Sequence, residues 1–534
     1  MSSRKLSGAR LPGSIMVTLA LLLRGPSIEA AITYYVSQSA GNDSYDGLSA
    51  AYDGAHGPWK TLTKASAITY QAGDQLLLKC GNTWSDGLVL KGNGTATNPA
   101  VVSSYGTGNR PIIDRQDTLI TNMAKCIYLN GNAYGWKIMN LELANAARGI
   151  EAYASGTNRS FLWFENLYIH GCKFGGKFKK TSGNQNNMQI GLHLGGAGLD
   201  KATILACTFR DNFVGVTTSA CSDVKDCLFE HMEWTGLWYI AGRGGTVSGN
   251  KFMHNCDQFV WCGVSASALA GVTNGVVEYN EFGETQVVDS AVDGEDLDFE
   301  AGCQGVTLRF NLFHESAGPA SMLYNSVDNN RPNSDLRIHD NVFLNAAANP
   351  SSPTYNCTFL LSDGNTGAIT NNRIYYRSGI PIYGGSACPG VIRTGNTECI
   401  VDTKVRGVNH ALGATASASS NSGSAANVND NDPATAWTGA AAANQWVQLD
   451  FGVERMIDEV IVEQAAGSSI SNFVVQYWNG AGWKDIFTSY GLLGARKYMP
   501  TWTVSTARVR LFINSTAGGV PSLTEFKAYN TKAP

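Results

Sequence analysis

Asn250-Lys-Phe252, Asn280-Glu-Phe282, Asn311-Leu-Phe313, Asn341-Val-Phe343 and Asn372-Arg-Ile374 are one three-residue figure written five times. Phe209 and Phe229 close the same kind of segment, with Cys207 and Cys227 in the Asn place, so the closing residues run at steps of 20, 23, 30, 31, 30 and 31. Each segment alternates apolar or β-branched residues with polar ones, the period of a strand, and the stretches between lack helical periodicity. Such a unit predicts a three-sided parallel β-helix, in which each coil buries its apolar face only by stacking on the next. A leucine-rich repeat is excluded, since its Leu-x-x-Leu-x-Leu signature is missing. One Asn per coil at a fixed place predicts an internal ladder, each amide bonding the coils above and below.

Coils stack about 4.8 Å apart, so equivalent positions become neighbours in space. The strands after each closing residue include Gly236–Ile240, Phe259–Cys262, Asp296–Glu300, Ser321–Asn325 and Thr358–Asp363, and the carboxylate-rich Asp293-Gly-Glu-Asp-Leu-Asp-Phe-Glu300 lies in the middle of that sheet. If Leu297 and Phe299 point inward, alternation turns Asp296, Asp298 and Glu300 outward together. Crowded carboxylates raise one another's pKa, which suits a general acid beside a general base or a bound cation. Register then sends Trp238 and Trp261 outward on the preceding rungs, with Tyr324 following, as flat platforms for sugar rings beside the acids. Two residues after each closing Phe stand Asp211, His231, His254, Glu284, Glu315 and Asn345. Of these, His254 and Glu284 border the carboxylate strand as substrate contacts, and Glu284 opens a long loop to Gly294 that forms a subsite wall. Arg243 and His314 lie near this face as further contacts.

The whole chain has 534 residues, a formal net charge of −4 and 15% charged residues, which predicts more than one domain and no nucleic-acid partner. Its 59 glycines with abundant Asn, Ser and Thr fit a turn-rich, all-β protein. Residues 1–30 read as a secretory signal: Arg4, Lys5 and Arg10, an apolar run from Ser14 to Leu23, then small residues near Ala30. No later segment has the apolar length of a membrane helix, so the expectation is a secreted, extracellular monomer with no membrane partner. Export makes disulfides among the twelve cysteines plausible, Cys388–Cys399 first. Asn42, Asn93, Asn158, Asn356 and Asn514 head glycosylation sequons.

Tyr34-Tyr-Val-Ser, Gly41-Asn-Asp-Ser-Tyr-Asp-Gly47 and Gly57-Pro-Trp-Lys-Thr-Leu-Thr-Lys-Ala-Ser66 resemble the N-terminal part of secreted β-helix proteins that act on polysaccharides. The resemblance implies a short helix near Leu62 to Ile68 capping the solenoid's open end. Near Val405 the composition shifts. Asn427-Val-Asn-Asp-Asn-Asp-Pro-Ala-Thr-Ala-Trp437, Gln445-Trp-Val-Gln-Leu-Asp-Phe-Gly452, Phe473-Val-Val-Gln-Tyr-Trp478 and Ser522-Leu-Thr-Glu-Phe526 closely resemble the coagulation-factor type C, or discoidin, domain, similar to carbohydrate-binding module family 32. That implies a β-sandwich (jelly roll) over residues 409–530. It also implies a structural calcium held by Asp430, Asp432, Thr435 and Glu525, although Asn431 replaces the usual Gly of that loop. The expected order is therefore signal peptide, β-helix over 31–405 with cap and first rungs at 31–115, then the sandwich.

Three function classes follow: a glycoside hydrolase using the outward carboxylates, a polysaccharide lyase acting on uronates, and a non-catalytic glycan-binding surface protein. Dense carboxylates without a basic groove favour the hydrolase, with a polysaccharide or complex glycan as substrate and no cofactor in catalysis. Asp298 is the expected general acid, with Asp296 or Glu300 activating water or attacking the anomeric carbon. Asp296 and Asp298 have backbones on the order of 6.6 Å apart, which leaves retention and inversion both open.

Overall fold

The computed structural model describes residues 30–117, 123–130, 134–153, 160–173, 189–196, 199–257, 264–287, 293–325, 331–347 and 356–531. Residues 1–29 of the expected signal, Trp261, Asn158 and residues 288–292 of the long loop lie outside these. From Thr33 to Cys399, short strands wind into three parallel sheets of 13, 12 and 11 strands among the described residues. One coil is Thr235–Ile240, Thr246–Ser248 and Lys251–Met253, one strand in each sheet.

Two columns of left-handed backbone turn the coils. The residue before each ladder Asn has positive φ: Gly249 at 67°, Tyr279 at 55°, Phe310 at 56°, Asp340 at 57° and Asn371 at 56°. So do Asp211, His231, His254, Glu284, Glu315 and Asn345, all between 51° and 57°. The second set is the polar column read from the sequence. Its members share a backbone corner, which explains their preference for Asp, Asn and His.

The ladder forms as expected. Asn250, Asn280, Asn311 and Asn341 each donate from Nδ2 to Oδ1 of the next Asn at 2.9, 2.9, 2.9 and 3.0 Å, and Asn372 donates to Asn396 at 3.1 Å. Beside it the rings of Phe209, Phe229, Phe252, Phe282, Phe313 and Phe343 stack at centroid spacings of 5.0, 4.6, 4.7, 4.7 and 4.8 Å. One apolar core extends from Val36 to Val391. The helix Leu62–Ala65, capped by Thr61, buries Leu62 and Ala65 against its first coils.

Thr415–Tyr529 form a seven-stranded antiparallel unit around Trp437, Phe473, Leu511 and Phe526. It is docked firmly on the β-helix. Leu312, Val342, Leu344 and Tyr375 join the sandwich core, and Arg373 pairs with the fully buried Asp458 at 3.2 Å. Lys404 and Arg406, in the connecting segment, both pair with the fully buried Glu459 at 3.4 and 2.8 Å. The eleven described cysteines are all free, so the expected Cys388–Cys399 bridge is not formed. Cys388 instead places its sulfur 3.3 Å from the Ser362 carbonyl and 3.4 Å from that of Asn365.

The ladder predicts a graded stability effect. Asn311→Ala removes donors to Val277, Arg309 and Asn341 and the acceptor for Asn280, so it should cost about 3 kcal/mol or more in denaturant unfolding, at ~1–3 kcal/mol per buried group left unpaired. Asn396→Ala, at the half-buried end, should cost clearly less, and equal losses would show that the ladder is not the binding element.

Candidate active site

The outer face of the 11-stranded sheet is organised in rows. Asp298 lies beside Ala268 on one side and Met322 on the other, and Ala268 lies beside Trp238. Trp238 and Asp298 thus share an outward row two rungs apart, on the order of 9.6 Å. Thr217, His193 and Glu151 continue that row toward the N-terminal end. Trp238 is partly exposed and meets Trp234 edge-on at 5.0 Å.

A second row faces the same side three residues earlier on each strand. It holds Lys125, Arg148, Ile190, Val214 and Thr235. Arg148 lies 3.8 Å from Glu151, Lys125 lies 2.8 Å from Glu151, and Ile190 and Val214 pack with Trp238 outside the main core. On the carboxylate strand the member of this row is Glu295, paired with Ser265 just after a register shift. The next position in each strand turns inward: Gly149, Gly191, Gly215, Gly236, Ala266 and then Asp296. A Cβ on Gly215 would stand 2.9 Å from the Phe229 ring, and one on Gly236 3.0 Å from Phe252.

This bend overturns the simple alternation. Leu297 and Phe299 do enter the core, and Asp298 and Glu300 do point off it. Asp296 does not face outward: it is fully buried at the corner, where the Thr285 hydroxyl donates to its Oδ1 at 2.5 Å. Burial pushes its carboxyl up to about 7, against the opposing pull of Thr285, His314 and Ser316. The acidic pair sharing the outer face is Glu295 and Asp298, 1% and 5% exposed. Val287, just after the corner at Glu284, packs on the Trp234 and Trp238 cluster. Gly294 approaches this residue closely, since a Cβ there would stand 2.0 Å from Val287 Cγ2. Tyr324, two residues beyond Met322, stands in the row of Glu300 and packs on Met322, Cys357 and Leu360.

His254 and Glu284, the expected substrate contacts, lie at the boundary with the C-terminal domain. The Glu284 carboxylate accepts from Ser489 Oγ at 2.6 Å and from the Tyr490 N–H at 3.1 Å, with His254 at 3.3 Å, so both residues face the C-terminal domain. His314 is fully buried under Phe487, with ring centroids 4.4 Å apart. Arg243 is exposed on a turn aligned with Thr273, away from the Asp298 row. Lower on the outer face, burial and Arg148 pull His193 down to about 4, which keeps its ring neutral.

In the C-terminal domain both carboxylate oxygens of Glu525 are buried without a hydrogen-bond partner, and burial, with Glu463, Asp430 and Asp432 nearby, raises its pKa. Thr435 Oγ1 donates to Asp430 at 2.7 Å. An orphaned buried carboxylate facing two more acids fits a hard cation, although among the described residues no three such side chains converge as they stand.

Comparison with known proteins agrees with this architecture. Residues 184–331 match the right-handed β-helix region and residues 413–526 the F5/8 type C domain. The chain joins a right-handed β-helix to a discoidin-type sandwich. Among solved structures, the GH136 lacto-N-biosidase from Eubacterium ramulus is similar at 16% identity and a TM-score of 0.54, covering 69% of this chain and 68% of that one. Chitosan-binding module 1 of a chitosanase/glucanase from Paenibacillus sp. IK-5 is 24% identical over 23% of this chain and 100% of its own, with a TM-score of 0.21. The first likeness is one of fold. No curated protein matches the sequence.

The domain contact should respond to pH at both ends. His314, between Glu281 at 3.3 Å and Glu315 at 3.9 Å, is raised to about 9 despite its burial, and Glu315, beside His314 and Lys497, is lowered to about 2. The histidine's contribution is full below its unfolded pKa and is lost as pH rises through 9. That of Glu315 is full above its unfolded pKa and is lost as pH falls toward 2. Thermal unfolding should therefore peak between these limits, and His314→Gln should remove the alkaline limb. An unchanged alkaline limb in that variant would contradict the assignment.

Proposed function

We propose that this protein is a carbohydrate-active enzyme, a secreted glycoside hydrolase that cleaves a polysaccharide or complex glycan on the outer face of the 11-stranded sheet. The observation that carries the reading is the register that sets Glu295 and Asp298 on adjacent outward rows with Trp238 two rungs away. Asp298 serves as general acid to the glycosidic oxygen. Glu295, in the place first assigned to Asp296, activates water or attacks the anomeric carbon, and Glu300 stands two residues beyond Asp298 on the same strand. Trp238 and Tyr324 offer aromatic surface to sugar rings. Asp296 acts from beneath as a positioning residue, through Thr285. The sandwich supplies glycan affinity, as carbohydrate-binding modules do, and holds a structural calcium at Asp430, Asp432, Thr435 and Glu525.

A uronate lyase has one feature in its favour, the neutral His193 beside Arg148 and Lys125 on the same face, a base among cations. Product chemistry separates the two, because only a lyase yields an unsaturated, ultraviolet-absorbing uronide.

In a glycan-panel digestion, Asp298→Asn and Glu295→Gln should each lower the release of reducing ends by roughly 10²–10⁴-fold, whereas Asp296→Asn should cost about tenfold or less in rate. A severe loss in Asp296→Asn with mild losses in the other two would return the chemistry to Asp296. Separately, a calcium chelator should lower the melting temperature of the wild type and leave that of Glu525→Gln unmoved. Equal curves for the wild type with and without chelator would remove the cation.

A further inference from the structure

On a different flank from Asp298, the β-helix and the C-terminal domain enclose a cleft of about 580 Å3. Tyr279 of the β-helix and Tyr477, Trp483 and Trp502 of the sandwich line it, with Lys251 and Asp485 between them. We propose that this cleft is a second carbohydrate site, built jointly by both domains, that takes a short neutral oligosaccharide. The proposal rests on reading the protein as carbohydrate-active, but uses none of the residues assigned to hydrolysis.

Tyr279 sits at an unusual backbone position for an aromatic residue. It stands in the left-handed corner column that most other coils fill with Asn166, Ala206, Asp226, Gly249, Asp340 and Asn371, and that the next coil fills with a second aromatic, Phe310. A bulky side chain at positive φ is unfavourable there, and this one is also 46% exposed. The ring is held in place by stacking on Phe310 at 5.3 Å, and it meets Trp502 edge-on at 6.5 Å across the domain boundary.

The remaining rings are fixed in the same way. Arg510 lies 4.3 Å over Trp483, and Trp478 meets Trp483 edge-on at 5.6 Å, so Trp483 offers the cleft its remaining surface in one orientation. Rigid aromatic platforms bind at low entropic cost, and their apolar faces match the C–H faces of a pyranose.

The polar groups set the ligand's charge. Lys251 is paired to Asp485 and donates to Thr488 Oγ1 at 2.9 Å, while Asp485 also accepts from Gln476 at 2.6 Å. Two lysines and three carboxylates line the cleft in all, so an anionic sugar gains nothing there. A ligand rich in hydroxyls can use both partners of the fixed ion pair. The volume lies within the ~300–1,000 Å3 of small-molecule sites, enough for a short oligosaccharide.

The test uses the full chain carrying Asp298→Asn, so that ligand is not consumed. Neutral tri- to hexasaccharides of the cello, xylo, manno and galacto series are titrated while tryptophan fluorescence and calorimetric heat are followed. At least one series should bind, and adding Tyr279→Ala, Trp483→Ala or Trp502→Ala should each weaken it by about tenfold or more. Tyr279→Phe should restore binding, which separates loss of the platform from loss of the fold. No binding by any series, or binding unmoved by Tyr279→Ala and Trp502→Ala but abolished by Trp238→Ala, would overturn the proposal. Hydrolysis is read independently in the wild type. A protein that binds in the cleft yet releases no reducing ends would sink the hydrolase reading and leave this site standing.

Discussion

The left-handed corner that returns each coil over the last, pinned by the asparagine beside it, is the constraint on which the rest of the structure depends. A parallel stack leaves buried polar backbone at every corner, and an apolar side chain could not satisfy it. Asn250, Asn280, Asn311, Asn341 and Asn372 satisfy it by bonding carbonyls of their own coil or the one before, and each other. With the corners in register, the phenylalanines must stack and equivalent strand positions must fall in rows. Chemistry on the outer face is thereby set by repeat arithmetic.

The same arithmetic explains what was legible in the sequence and what was not. The recurrence of Asn-x-Phe revealed the coil, the ladder and the ring stack, and the ordered motifs from Asn427 to Phe526 revealed the sandwich. The inward positions of Leu297 and Phe299, and the outward row shared by Trp238 and Asp298, followed from alternation. Asp296 did not, because alternation fails where the strand bends against the phenylalanine stack. A signal for the bend was present: Gly149, Gly191, Gly215 and Gly236 stand directly before the core residues Ile150, Leu192, Val216 and Leu237, as Asp296 stands before Leu297. Small residues recurring there mark a pinched, inward position, and so make Glu295 the outward acid.

His254, Glu284 and His314 meet the second domain for a reason the sequence does not carry. One polar residue per turn is what a backbone corner demands and also what a binding wall would show. Only the partner decides between these, and here it is the second domain, through Ser489, Tyr490 and Phe487. Contacts between segments some 200 residues apart leave no local pattern. The cysteines show the same: the spacing of Cys388 and Cys399 suggests a bridge, while eight of the eleven described thiols are small, buried groups and Cys399 is only partly buried.

Because the two domains share a core cluster and several buried ion pairs, the sandwich is held at a fixed orientation to the β-helix. A crystal structure of the Asp298→Asn protein with an uncleaved glycan tests the proposed hydrolytic site most directly. The glycosidic oxygen should lie within about 2.6–3.2 Å of the residue 298 side chain, with a sugar ring against Trp238. A glycan bound to the protein with no contact to residues 295 or 298 would contradict it.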